Sequence, residues 1–243
     1  MSTEGQTRSE VPAWADYSQD AQLSPVLRHA LDAFVEDGYH ATTVRDLARR
    51  LGQTVPAIYY HYQNKQAVLV ALLSLAIDDL LWRVRQAAAE APDDPLARLG
   101  NIVRCLVLFV AYRQKLAFLD GEIRSLEPDN RAEYVARRDE VQNIVDGTVQ
   151  AGMDAGVFAD GDAHAIARAI LTMCRGIVIW FRPDGPMSPE AVADLYVTLS
   201  LRLAGADPAS VAAPRSAPAD RRQPAGVNAR PVTPRKRSAP AHS

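Results

Sequence analysis

The sequence predicts an all-α fold in which an N-terminal three-helix unit precedes a larger C-terminal helical bundle. Between residues 23 and 204, apolar residues recur at spacings of three and four, and no stretch shows the alternation of a β-strand. Near the start of this region, two short helical patterns joined by a glycine turn follow a longer one. The chain is 48% hydrophobic and 23% charged, which is typical of a soluble globular protein.

Composition divides the chain into four segments. Residues 1–22 are polar, and we expect a disordered, flexible arm there. Residues 23–68 hold the three-helix unit, and residues 69–204 hold the bundle. Residues 205–243 are rich in Pro, Ala, Ser and Arg and lack large apolar side chains, which predicts a disordered tail. This tail has seven Lys or Arg against two Asp, a net charge of +5, so the rest carries −7 of the total −2.

The first helix is predicted from Leu23 to Asp37, where Gly38 ends it. Its apolar stripe faces the core and consists of Leu27, Ala30, Leu31, Phe34 and Val35.

The second helix begins with Thr43 followed three residues later by Asp46, the capping pattern that satisfies the free amides of a first turn. Its apolar face comprises Val44, Leu47, Ala48 and Leu51, and Gly52 ends it.

The third helix is capped by Thr54, with Pro56 in the first turn, where a missing amide hydrogen does little harm. Helical spacing directs Val55, Ile58 and Tyr62 inward. The side chains left facing outward are Pro56, Ala57, Tyr60 and His61, with Tyr59 at the margin.

Breaks at prolines and glycines place the remaining helices. Their predicted ranges are 65–91, 95–118, 119–127, 131–155, 162–181 and 188–204. Asp160 and Asp162 resemble a metal-binding acidic pair, but a turn that leads into a helix cap explains them fully.

The three-helix unit has the geometry of a helix-turn-helix, whose last helix lies in the DNA major groove. We expect Thr43 and Thr54 to direct helix-terminal amides toward phosphates. Side chains that donate to phosphate are expected at Arg45, Tyr59, His61 and Lys65, and side chains that reach the bases at Val55, Pro56, Ala57 and Tyr60. Each residue taken alone has a simpler explanation. The tyrosines could be ordinary packing residues, His61 could be a surface histidine, and Arg49 and Arg50 could belong to a solvated helix face. Their combined register favours DNA binding.

The same residues resemble the DNA-binding signature of the TetR family of transcriptional regulators. The resemblance covers roughly residues 23–70 and rests on the run from Thr43 to Gly52, then on Thr54, Ile58 to Tyr62, Asn64 and Lys65. Three positions depart from the signature. Gln53 stands where an apolar residue is usual, Ile58 where Leu is usual, and Tyr62 where Phe is usual. The resemblance implies a homodimeric repressor that binds a palindromic operator on double-stranded DNA and is released by a small molecule held in the C-terminal domain.

The C-terminal bundle is the expected ligand-binding and dimerisation domain. Residues 106–112 are apolar on every side, which indicates a central helix beside a cavity for the effector. The candidate pocket residues are Phe109, Tyr112, Arg113, Phe118 and Arg175. Plain core packing is the alternative reading for each of them.

The last two helices carry the apolar stripes that we assign to a dimer interface, because a two-fold operator requires a dimer. The interface candidates are Ile166, Ile170, Cys174, Ile177, Leu195 and Leu199. Packing within one protomer is the alternative.

The segments 180–190 and 122–128, with Arg138 and Asp139, resemble a TetR subgroup that often senses acyl-CoA thioesters. This likeness implies that Arg113, Arg124 or Arg175 contacts a coenzyme A phosphate. Solvated or ion-paired arginine is the alternative for each.

Other functional classes find little support. Cys105 and Cys174 lie singly in apolar runs, which favours buried thiols in a reducing cytoplasm over a disulfide or a metal site.

The first twenty residues do not resemble a signal peptide, and His164, Arg168 and Arg175 interrupt the apolar stretch 163–181, so we expect no membrane association. The sequence shows no Gly-rich phosphate loop and no catalytic constellation, so neither an enzyme nor a cofactor is expected. A helical adaptor that binds only protein is the remaining alternative.

Overall fold

The structure is a computed structural model that describes residues 11–207 and 209. Within this part of the chain there are nine α-helices and no strand. They are α1 (Pro25–Glu36), α2 (Val44–Leu51), α3 (Val55–His61), α4 (Lys65–Ala89), α5 (Pro95–Tyr112), α6 (Gln114–Leu119), α7 (Pro128–Asp154), α8 (Ala163–Trp180) and α9 (Pro189–Leu203). The all-α prediction is confirmed.

Most helices begin where a short polar side chain accepts a hydrogen bond from the amide three residues later, because the first amides of a helix have no partner within it. The capping residues are Ser24, Thr43, Thr54, Asn64, Asp94, Asp162 and Ser188. Asp162 therefore starts α8, as the sequence predicted.

Two predicted ranges are wrong. The helix expected over 95–118 is broken at Arg113, whose φ of −112° and ψ of 34° are not helical, and α6 starts after it. The helix expected over 119–127 is a 3-10 helix from Asp120 to Ser125. Pro128, a predicted helix break, instead begins α7, because proline is favoured in the first turn of a helix.

The core is organised around α5, which packs against α4, α7, α8 and α9. All residues from Cys105 to Ala111 are buried, as the uniformly apolar sequence predicted. Helix α9 runs antiparallel to α5: Tyr112 bonds to Glu190 at one end, and Val197 lies 3.6 Å from the position that a Cβ on Gly100 would occupy, toward the other.

Two helices, α5 and α8, are long and apolar enough by composition to cross a membrane. Helix α5 is the buried centre of the bundle. Helix α8 has an accessible side that carries His164, Arg168 and Arg175 beside apolar residues. An apolar side with charges on it suits contact with another protein better than contact with lipid.

The predicted flexible arm is wrong for residues 11–22. We call this segment the N-terminal strap, because it lies across α4 and α5. Trp14 and Tyr17 are buried, and the buried guanidinium of Arg83 donates to the carbonyl oxygens of Trp14 at 2.9 Å and Asp16 at 3.0 Å. Two aromatic side chains in a polar segment were the sequence signal for this packing.

The predicted tail lies almost wholly outside the described residues. Ala206 is buried, and its amide donates to the carbonyl oxygen of Leu201 at 3.0 Å, which closes the C-terminal turn of α9. Residues 1–10, 208 and 210–243 are among those not described, so the prediction for the tail stays a prediction.

Candidate nucleic-acid interface

The position of α3 is fixed by a small apolar cluster. Ile58, at 1% exposure, packs with Val26 of α1 and Ala48 of α2 in a cluster separate from the main core. Val55 and Tyr62 pack against the same cluster, as the helical spacing predicted. One face of a seven-residue helix is thereby held against α1 and α2, and the opposite face is left to solvent.

A complete capping box orients α2. The Thr43 hydroxyl accepts from the Asp46 amide at 3.2 Å, and the Asp46 carboxylate accepts from the Thr43 amide at 3.0 Å. Hydrogen bonds from Thr43 hold the pKa of Asp46 below its usual value. The box predicted from the sequence is confirmed, and its effect is to fix the first turn of the helix.

The tight turn between α2 and α3 depends on Gly52, which has φ of 64° and closes α2 in the left-handed conformation. Arg50 ties α2 back to the end of α1 through ion pairs with Glu36 at 2.9 Å and Asp37 at 2.7 Å. Arg49 is exposed and pairs with Asp46. Arg50 is thus a structural contact rather than only part of a solvated face.

The outer face of α3 presents the side chains that were expected to touch DNA. Tyr60 is 86% exposed, and Tyr59, Pro56 and His61 are also exposed. The ring of His61 lies edge-on to Tyr60, with centroids 5.1 Å apart. Thr54, Thr43 and Arg45 are exposed nearby, whereas Ala57 and Val55 are half-buried.

Lys65 is not the free phosphate donor that the sequence predicted. Its ammonium donates to the carbonyl oxygens of Tyr39 at 2.8 Å, Thr42 at 2.9 Å and His40 at 3.4 Å. It also lies 4.3 Å from the centroid of the Tyr39 ring. Burial lowers the pKa of Lys65. Since an ammonium has three hydrogens, this side chain is fully used in joining α4 to the turn between α1 and α2.

A second set of contacts joins that turn to the bundle, and sequence reasoning missed it. His40 Nε2 lies 2.9 Å from the Ser125 hydroxyl, which donates to Glu122. Gln66, at the start of α4, accepts from the amide of Glu127 at 2.8 Å. No local pattern marks these residues, because they meet only through the tertiary fold.

The five predicted pocket residues do not surround one cavity. Phe109 is buried in the core, and Phe118 is 48% exposed on α6. Tyr112 stacks on Tyr17 of the strap with ring centroids 5.1 Å apart. Arg113 donates to the backbone of Gln19, whereas Arg175 pairs with Asp120.

The two best-formed cavities in the described part lie elsewhere. One is an open cleft of about 460 Å³ between α7 and the start of α8, beside Asp146 and His164. The other, between α4 and α7 beside Leu73 and Tyr134, has a volume of about 10 Å³. A cavity of that size holds about one water molecule, so a ligand at that position would have to displace side chains.

The predicted dimer residues divide into two groups. Ile170, Cys174 and Ile177 are buried within the protomer and Ile166 packs against its core, because this stripe faces α5 and α7. The three buried residues are therefore wrong as surface contacts, whereas Ile166 is only partly buried and stays a predicted interface residue. The accessible apolar side of α8 and α9 includes Leu195 and Leu199, as predicted, together with Ile179, Trp180 and Leu203.

Both cysteines are buried free thiols. Burial raises the pKa of Cys174 to about 12 and raises that of Cys105 as well. A thiol held in its protonated form is a poor nucleophile, which favours the structural role expected from the sequence.

Two family models match the chain. The model described as bacterial regulatory proteins, tetR family, matches residues 26–72, and the model described as tetracyclin repressor-like, C-terminal domain, matches residues 92–204. The first range contains α2, α3 and all of α1 except Pro25, and the second contains α5 to α9.

Individual relatives are similar over nearly their whole length. The HTH-type transcriptional repressor KstR2 of Rhodococcus jostii is 26% identical over 78% of this chain and 94% of its own length. The crystal structure of the TetR family regulator PfmR from Thermus thermophilus has 33% identity and a TM-score of 0.67, covering 74% of this chain and 98% of its own. The structure of the ketosteroid transcriptional regulator KstR2 of Mycobacterium tuberculosis has 25% identity and a TM-score of 0.68, covering 75% and 96%.

The contacts of Lys65 predict a mainly structural role. Lys65→Met removes the partner of three carbonyl groups, two of them in partly buried bonds, and should lower the free energy of unfolding by about 1–2 kcal/mol. Urea denaturation measures this change. Arg45→Met, which alters an exposed cation of α2, is the control and should stay within about 0.5 kcal/mol of the parent. Unchanged stability of Lys65→Met, with a salt slope of DNA binding reduced by about one, would restore the phosphate role.

Proposed function

This chain belongs to the TetR family of bacterial regulatory proteins, and from this we propose that it is a homodimeric repressor that binds a palindromic operator and is released by a small apolar ligand. Residues 23–68 form the DNA-binding domain in this proposal, and residues 69–204 bind the ligand and the second protomer. The proposal places the protein in the cytoplasm, where its DNA is. Its relatives are transcriptional regulators, not enzymes.

The observation that supports DNA binding most directly is the division of α3 into two faces. Ile58 anchors one face to α1 and α2, and Tyr60 stands out from the other. In the major groove, such a helix offers an aromatic edge, a proline and a histidine, which suit thymine methyl groups and groove shape. The exposed Arg45 and Thr43 at the start of α2 are then placed to position the backbone phosphates.

Tyr60 tests this docking. Because its side chain is almost fully exposed, Tyr60→Ala should leave the melting temperature unchanged and lower operator affinity by tenfold or more. Fluorescence anisotropy on DNA from the promoter beside its own gene, with the bound stretch defined by footprinting, measures the affinity. Trp82→Ala alters an exposed aromatic residue of α4 and should have no effect. Equal affinities of the parent and Tyr60→Ala would contradict the docking.

The proposed dimer uses the accessible apolar side of α8 and α9. Ile179, Trp180, Leu195, Leu199 and Leu203 are large, apolar and exposed in a single protomer. Adjacent exposed apolar residues of this kind are typical of a protein interface. A two-fold pairing of this side would give two α3 helices related by the symmetry of the operator, about 34 Å apart along the DNA.

Leu195→Glu provides a test of the dimer. A charge on the proposed interface should convert the dimer to a monomer in sedimentation velocity and lower operator affinity by at least tenfold. Leu75→Glu is a matched control, since Leu75 of α4 is 41% exposed and Leu195 is 43% exposed. A dimer that survives Leu195→Glu, or one that Leu75→Glu breaks equally well, would remove α9 from the interface.

The proposed effector is a small molecule with a large apolar part, and acyl-CoA thioesters are the first class to examine. The segments 122–128 and 180–190 resemble the subgroup that senses them, and Asp120, two residues before the first segment, pairs with both Arg138 and Arg175. Two guanidinium groups on one carboxylate leave a net positive charge, which favours a phosphate of coenzyme A. The acyl chain would open the tightly packed space beside α5.

Titration with acyl-CoA thioesters of different chain shapes tests this class. At least one thioester should raise the melting temperature by several degrees and lower operator affinity tenfold or more, whereas free coenzyme A should leave operator affinity unchanged. Melting curves and anisotropy are measured on the same samples. A broad panel that leaves both unchanged would exclude thioesters and leave the operator proposal intact.

A further inference from the structure

Three hydrogen-bond donors in one part of the molecule have no partner. Of four buried side-chain polar atoms without a partner among the described residues, Trp14 Nε1 and Tyr17 Oη belong to the N-terminal strap, and Arg113 Nε belongs to the end of α5 beneath it. Each buried donor left without a partner costs about 1–3 kcal/mol. Three such donors in one region are therefore available to an acceptor group.

The charges around Tyr17 are unequal. The guanidinium of Arg83 lies 4.0 Å from the centroid of the Tyr17 ring, and that of Arg113 lies 5.4 Å from it. Arg83 is paired with Asp79 at 2.8 Å, whereas Arg113 forms no ion pair among the described residues. Arg113 is half-buried: burial lowers its pKa, and the nearby carboxylates of Asp79 and Asp20 oppose that shift without forming an ion pair with it.

The donors define the chemistry of the missing group. An indole N–H and a guanidinium N–H can only donate, and burial raises the pKa of Tyr17, so its hydroxyl keeps its hydrogen. A water molecule accepts two hydrogen bonds and carries no charge. The oxygens of a carboxylate or phosphate accept more hydrogen bonds than water does and can also pair with the guanidinium of Arg113. Hydrogen bonds between charged groups are stronger than those between neutral groups.

We propose that the junction of the N-terminal strap with α4 and α5 is a binding site for an oxyanion, a carboxylate or phosphate group of a small ligand, held by Tyr17 and Arg113 with Trp14 beside them. The site differs from both cavities described above. It is separate from the Asp120 cluster, whose arginine Arg175 lies on α8. It rests on neither the operator nor the Asp120 cluster.

The position of the site gives its occupant a route to the DNA-binding domain. Three residues after Gln19, the strap ends, and Leu23 and Ser24 lead into α1. Tyr17 also stacks on Tyr112, whose hydroxyl bonds to Glu190 at the start of α9. An anion that fixes the strap therefore stabilises contacts with α1, α4, α5 and α9 together.

The test uses the full-length protein at constant ionic strength with sodium chloride, phosphate, acetate or coenzyme A. Isothermal titration calorimetry and melting curves should show saturable binding of at least one oxyanion and a rise in melting temperature that chloride does not give. The three oxyanions distinguish free phosphate, a simple carboxylate and a nucleotide phosphate as the source. No saturable response to any of them would overturn the proposal.

Two substitutions locate the site. Tyr17→Phe keeps the stacked ring but removes a hydroxyl without a partner, so the melting temperature in chloride should be unchanged or higher, and anion affinity should fall about tenfold. Arg113→Gln should abolish the response. A lower melting temperature of Tyr17→Phe in chloride would show that the hydroxyl already has a partner, and would overturn the proposal.

Two matched controls separate this site from other anion sites. Tyr60→Phe removes the exposed hydroxyl of α3, where DNA phosphates are expected, and Arg85→Gln removes an exposed arginine that pairs with Glu140. Both should bind the oxyanion as the parent does. If either control loses as much affinity as Tyr17→Phe or Arg113→Gln, the anion binds elsewhere.

Discussion

The structure depends on the need to bury the second half of α5, from Cys105 to Ala111, on all sides. A helical segment without a polar face is stable only when other helices surround it, and α4, α7, α8 and α9 pack against α5. The packing that encloses α5 also fixes α4, and α4 continues without a break from Ala89 to Lys65 at the DNA-binding end. At 1.5 Å per residue, its 25 residues span about 37 Å. The orientation of α3 is therefore tied to the packing of the central helix.

Each end of α4 is joined to the neighbouring segment by one cation, which is half-buried at one end and buried at the other. Lys65 holds the turn between α1 and α2 through three carbonyl groups, and Arg83, five turns along, holds the strap through its own set of carbonyl groups. The strap and that turn are the two segments that flank α1. In the proposed function, a ligand beside α5 that displaces α4 would pull on α1 from both ends, since tightly packed elements of this kind move as units rather than by bending.

The sequence was sufficient for features whose cause is local. The capping box of Thr43, the burial of Ile58 and the exposure of Tyr60 all follow from helical spacing and capping chemistry. Features that arise from tertiary contacts could not be predicted from the sequence. Lys65 has the residue type of a phosphate donor, and only the fold shows that backbone carbonyl groups use all its hydrogens. Ile170 and Leu195 belong to similar apolar stripes, but only packing shows that one is enclosed and the other open.

The small cluster beneath α3 has only three fully buried members, Val26, Ala48 and Ile58, while Leu27, Leu31 and Phe34 of α1 belong to the main core. So few enclosed side chains cannot hold a unit of this size together alone. The DNA-binding unit is thus not expected to fold when it is transferred by itself to another protein. A chimaera that grafts it onto a foreign sensor would have to carry the strap and the first half of α4 with it, or supply equivalent apolar surface for α1.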